Sequence, residues 1–152
     1  MQQTSNGYLL CAGVAAIAGG VVHIIAIFVG PSWYRLIGAP DSMVQLVVAG
    51  HPYPAIVCVV VASILFVWAA YAFSGAGVIR SLPLLRTGLV VIAALLIIRG
   101  VAFIPLMLWR PSLFVGICNC KGVDAFLIAT SAICLAVGIC YAVGSYKAWS
   151  QQ

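Results

Sequence analysis

Acidic side chains are almost missing from this chain: there is no glutamate, and Asp41 and Asp124 are the only aspartates among 152 residues. That scarcity excludes whole chemistries. General acid–base hydrolysis by paired carboxylates needs two acids at one site, and proton-coupled exchange across a membrane needs a carboxylate inside a span. None of the long apolar runs holds one. Charge of either sign is scarce, at 6% of residues, where soluble domains carry about 25%. Six of the seven Lys and Arg stand singly near the ends of apolar runs, Arg99 being the exception, so the net charge of +5 reflects membrane topology and points to no nucleic-acid partner. There is no C-x-x-C pair, no ligand cluster at zinc spacing and no nucleotide motif. The sequence therefore nominates no catalytic residue, no metal site and no cofactor.

What is abundant is hydrocarbon. With 65% hydrophobic residues and a mean hydropathy of +1.23, the chain belongs in a bilayer. Its length suits four spans of about 20 residues with short connections. Those spans fall at about 8–29, 55–73, 83–108 and 125–145 of a single transmembrane domain, 1–152. The predicted fold class is all-α: an integral membrane four-helix bundle with a short interfacial helix between spans one and two.

Met1 to Gly7 lacks the basic start of a secretory signal, so the first span is expected to be retained. Ala12, Ala16, Gly19, Gly20 and His23 form one stripe along it, small enough for close approach of a neighbouring helix. His23 at the end of such a stripe is most simply a hydrogen-bonded structural residue. After Gly30-Pro31, Trp33 and Tyr34 beside Arg35 resemble an anchor at headgroup depth. Asp41 or Ser42 can cap the short helix, with Gln45 completing a capping box from Ser42. His51 is expected in a solvated loop before Pro52 and Pro54, which open span two.

Ser74 to Gly77 forms the next hinge, and Pro83 suits the first turn of span three. Pro105 should bend that span. Asp124 is placed to cap span four, whose small residues Ser131, Cys134, Gly138, Ala142 and Ser145 make a second seam.

Arg99 is the residue that the pattern does not explain. The stretch Leu89 to Leu108 has 13 Leu, Ile, Val or Phe residues, each worth roughly 0.3 to 0.6 kcal/mol of insertion against roughly 2.5 to 3.5 for one arginine. The helix inserts despite the charge. Trp109 lies about 15 Å further along, about half the hydrocarbon thickness, so the guanidinium needs partners at depth. Two readings stand side by side. Either carbonyls, hydroxyls and water satisfy the guanidinium and it sets helix register, or it recognises a ligand. It should point into the bundle, within reach of His23 or of span-four hydroxyls such as Ser131.

Arg80, Arg86 and Lys147 flank the shorter polar segments, which favours both termini on the cytoplasmic side. Cys11, Cys58, Cys134 and Cys140 lie within spans as small apolar packers. Cys118 and Cys120 lie in the last loop, and in an oxidising compartment they are a possible redox pair, although C-x-C closes a strained ring.

The string Tyr71-Ala-Phe-Ser-Gly-Ala-Gly-Val-Ile-Arg-Ser-Leu-Pro-Leu-Leu-Arg86, with Arg99-Gly-Val-Ala-Phe-Ile-Pro105, resembles uncharacterised four-span bacterial inner-membrane proteins. The resemblance implies a bacterial inner membrane and supplies no activity. The leading expectation is a non-enzymatic membrane protein whose Arg99 holds an anionic or polar-headed lipophilic ligand, such as a lipid or quinone, or a partner helix, including one from a second copy. One alternative is similar in outline to the quinone-linked disulfide oxidases and would use Cys118 and Cys120. Another is a small transporter subunit.

Overall fold

The computed structural model describes residues 6–110 and 125–150. Four long helices carry the architecture: α1 (Gly7–Val29), α4 (Tyr53–Gly75), α5 (Leu85–Trp109) and α6 (Ala125–Ser150). Two short ones, α2 (Pro31–Leu36) and α3 (Asp41–Val48), connect α1 to α4. No strand occurs among the described residues. Helix α1 runs along α4 and α5 along α6; α1 also meets α6, and α4 meets α5, whereas the α1 and α5 backbones stay apart across the bundle. Around the bundle the order is therefore α4, α1, α6, α5. One end holds the starts of α1 and α5 and the finishes of α4 and α6. The other holds α2 and α3.

Each long helix is apolar enough to cross a membrane, and only 22 to 28% of each apolar window is buried inside the bundle. Phe28, Ile98 and Ile133 point outward, 84%, 61% and 61% exposed. Such a surface requires hydrocarbon around it, so the chain is a multi-pass membrane protein. Lipid tails are as apolar as leucine, and what holds helices together there is close packing and hydrogen bonding.

Glycines supply that packing in two ways. In the α1–α4 seam, a Cβ on Gly13 or Gly20 would stand 2.9 or 2.7 Å from a ring atom of Phe73 or Phe66. In the α5–α6 seam, a Cβ on Gly100 would stand 2.8 Å from the Leu135 Cβ and 2.9 Å from the Ser131 carbonyl oxygen. Gly138 likewise faces the Ile97 backbone nitrogen, at 3.0 Å from such a Cβ. Leu9, Ala12, Ala72, Leu89, Ile92, Ala93 and Tyr141 then fill the centre between the pairs. The Tyr141 hydroxyl donates to the Trp68 carbonyl at 2.9 Å, a polar link from α6 to α4.

Several local expectations need correction. Two short helices, not one, separate the first spans. Tyr34 does not present its ring to headgroups but is buried, 2% exposed, among Ala26, Ala39, Val44 and Cys58. Gly30, at φ 92, starts a turn that folds α2 back on the bundle and carries the ring inward. Burial, and then the hydrogen-bonded Cys58 thiol, push the Tyr34 phenol up to about 12. The capping box does not form: α3 begins at Asp41 behind Pro40, without a side-chain cap.

Pro83 does not open α5 either. The Ser74 hydroxyl donates to the Arg80 carbonyl (3.1 Å) and accepts from the Leu82 amide (2.9 Å), which holds the loop away from helix. Leu84 then takes a left-handed φ of 53, and α5 starts at Leu85. Helix α5 continues through Pro105 to Trp109. His51 is exposed, and its Nδ1 accepts from the Tyr53 amide at 3.2 Å.

Candidate functional site

Arg99 lies on α5, half-buried, one residue before the glycine that lets α6 approach. Four residues separate Arg99 from Phe103, the spacing that puts two side chains on one helix face. The guanidinium carbon accordingly lies 3.5 Å from the Phe103 ring centroid. This contact is a cation on the negative face of a ring, stronger where water is scarce.

Across the seam, Arg99 Nη1 donates to Ser131 Oγ at 3.5 Å, at the far limit for a hydrogen bond. Ser131 is buried, 2% exposed, and its backbone carbonyl packs against Gly100. Cys134, one turn along α6, lies within electrostatic reach of the guanidinium. No salt bridge to Arg99 occurs among the described residues. A guanidinium has five N–H donors in a fixed fork. One long contact and one ring leave most of that capacity unused among the described residues.

His23 is not in this group. Its Nδ1 donates to the Gly19 carbonyl one turn back, at 2.8 Å, in the tautomer that this bond requires. It also stands on α1, diagonal to α5 in the bundle. Cys118, Cys120 and Asp124 lie outside the described residues. Cys11, Cys58, Cys134 and Cys140 are free thiols. Among the described residues no cluster of three His, Cys, Asp or Glu side chains could hold a metal.

Arg99 and Ser131 are thus the two predicted residues that the fold brings together. Phe103 was legible as the aromatic one turn beyond Arg99 but was not singled out. Gly100 was passed over too. Of the residues that share a face with Arg99 by helical spacing, Leu95 and Leu106 are 51% and 38% exposed, whereas Gly88 and Ala102 are half-buried.

Chemically, the arrangement offers planar, permanently charged donation backed by an aromatic face. It has no nucleophile–base pair among the described residues and suits recognition of an oxygen-rich group. Comparison with protein families, curated proteins and solved structures finds no match.

Proposed function

We propose that this chain is a non-enzymatic protein of a bacterial inner membrane, with both termini cytoplasmic, in which Arg99 recognises the polar head of a lipophilic ligand. The observation that carries the reading is the guanidinium itself. It is half-buried in an apolar helix, held by one 3.5 Å contact to Ser131 and by the Phe103 ring. Of the two aspartates, Asp41 is exposed at the start of α3 and has an interaction of its own, and Asp124 lies outside the described residues. An anionic headgroup or a quinone carbonyl would supply the acceptor that such a donor fork lacks among the described residues, and charge-assisted bonds of this kind are the strong ones. The placement of Arg80, Arg86 and Lys147 at one end supports the cytoplasmic assignment of that end.

Arg99→Leu tests the reading by mass spectrometry of lipids and quinones that co-purify with the intact protein. The expected result is a loss of the bound species by about tenfold, the equivalent of one charge-assisted interaction, with thermal stability held or raised because a buried charge is gone. Unchanged ligand content with unchanged stability would overturn it. Arg99→Lys should fall between the two, since an ammonium keeps the charge and loses the planar fork.

A further inference from the structure

The end of the bundle opposite α2 and α3 contains a cavity of about 670 Å³ that the Arg99 reading does not use. It opens where α4 finishes, α5 starts and the outer ends of α1 and α6 meet. Its walls are of two kinds. Arg86, Ser81, Thr87, Asn6 and Ser74 give it a polar side, while Leu84, Leu85, Leu89, Ile79 and Trp149 give it an apolar one. No acid is among its described lining residues.

The polar side is built before anything enters. Ser74, 5% exposed, ties the loop through Arg80 and Leu82, and the Tyr71 hydroxyl donates to the Pro83 carbonyl at 3.3 Å. Arg86 is held over the Trp149 ring, its guanidinium carbon 5.9 Å from the centroid. Helix α5 begins here without a side-chain cap and without an acidic residue in its first turn. Such a helix start has amides directed at the space before it and favours negative charge. Asn6 joins the start of α1 to the end of α6 beside this cavity. Its amide nitrogen donates to the Gly144 carbonyl at 2.6 Å, whereas its Oδ1, enclosed by the protein, has no hydrogen-bond partner. An enclosed acceptor left without a donor is costly.

We propose that this cavity binds a phosphate ester, with the phosphate against Arg86, Ser81, Thr87 and the start of α5, and an apolar portion against Leu84, Ile79 and Trp149. Phosphate takes bidentate guanidinium donation, hydroxyls and helix-start amides together, and an acid-free lining avoids repulsion. Leu84, 78% exposed, and Ile79, 44% exposed, provide an apolar rim for chains or a glycerol backbone. An anionic lipid headgroup and a small soluble phosphate ester share this chemistry.

The test uses the full chain in nanodiscs and in detergent. After delipidation, native mass spectrometry counts the lipids retained from bilayers of phosphatidylcholine with phosphatidylglycerol, and thermal unfolding is followed with added glycerol phosphate. Preferential retention of phosphatidylglycerol identifies a lipid headgroup. Stabilisation by glycerol phosphate without lipid preference identifies a soluble ester. In either case Arg86→Gln should weaken binding by about tenfold, while Arg80→Gln, the same charge change at a residue outside the lining, should leave it within about twofold. Thr87→Val serves if Arg86→Gln fails to fold, and it should weaken binding several-fold. Equal weakening by Arg80→Gln and Arg86→Gln, no effect of Thr87→Val, or no binding of either probe overturns the proposal. Arg99→Leu should leave this binding unchanged, which keeps the two sites separable.

Discussion

The α1–α4 and α5–α6 seams are both closed by glycine, yet the glycines meet different things. Gly13 and Gly20 each receive a phenylalanine ring, the far end of a side chain that can rotate. Gly100 and Gly138 meet backbone atoms, which cannot move without moving a helix. The same small residue therefore makes a notch for a ring in one pair and a backbone-to-backbone contact in the other. The polar chemistry follows the second kind. Arg99 and Ser131 lie at the contact where Gly100 brings α5 against α6, and a guanidinium beside Gly100 reaches a hydroxyl on the facing helix because the glycine has no side chain to intervene. On α1, His23 turns back to its own helix instead.

The largest effect should come from alanine at the backbone contacts. Gly100→Ala places a methyl group against the Ser131 carbonyl and the Leu135 backbone, and Gly138→Ala places one against Ile97. Overpacking of this kind costs about 1 to 3 kcal/mol, read as a fall in the midpoint of thermal unfolding in detergent. Gly100→Ala should also disturb the Arg99–Ser131 contact and so reduce whatever Arg99 binds.

Gly20→Ala probes the other seam and should cost less, about 0.5 to 1 kcal/mol, the scale of an off-rotamer side chain. Phe66 is 40% exposed, so its ring has lipid to swing into. Equal losses for Gly20→Ala and Gly100→Ala would break the distinction between ring notch and backbone contact.

Tyr141→Phe removes the hydroxyl link between the pairs at constant shape. Hydrogen bonds between membrane helices average about 0.6 kcal/mol, and the Trp68 carbonyl is a helical one, so the loss should be near that figure. A loss of several times that size would mean that the pairs are joined mainly through this bond and not through the Leu9, Leu89 and Ile92 packing around it.

The four spans and their small-residue stripes were legible because hydropathy and helical spacing are properties of each segment alone. Gly138 and Ser131 were readable in the same way, as members of one stripe on α6. Gly100 was not, since a single glycine among leucines and isoleucines shows its role only when the facing backbone is known. The start of α5 was misplaced for a similar reason: Ser74, on a different helix, captures the Leu82 amide and delays the helix past Pro83. Tyr34 beside Trp33 and Arg35 has the composition of an interfacial belt, and nothing within the segment reveals that Gly30 turns it inward. Of the candidate site, the charge was evident and its partners were half evident. Phe103 follows from spacing along one helix, whereas the Ser131 contact depends on how two helices pair.

The smallest effect is expected at Tyr34, where the α1–α4 pair has its polar contact with the short helices. Its phenol is raised to about 12 by burial and by the Cys58 thiol. A raised value in the folded state means that the folded protein keeps this proton longer than the unfolded chain, whose phenol titrates near 10. The stability tied to the protonated phenol is then fully present below about pH 10 and is lost progressively as pH rises through about 12. Tyr34→Phe cannot ionise and should be free of that loss. Below pH 10 the gap between the two proteins in thermal midpoint should stay constant. Between pH 10 and 12 the wild-type protein should lose ground against the phenylalanine variant. A constant gap through that window would mean that the ring is open to water, and that the α1–α4 pair has no buried polar contact where α2 folds back on it.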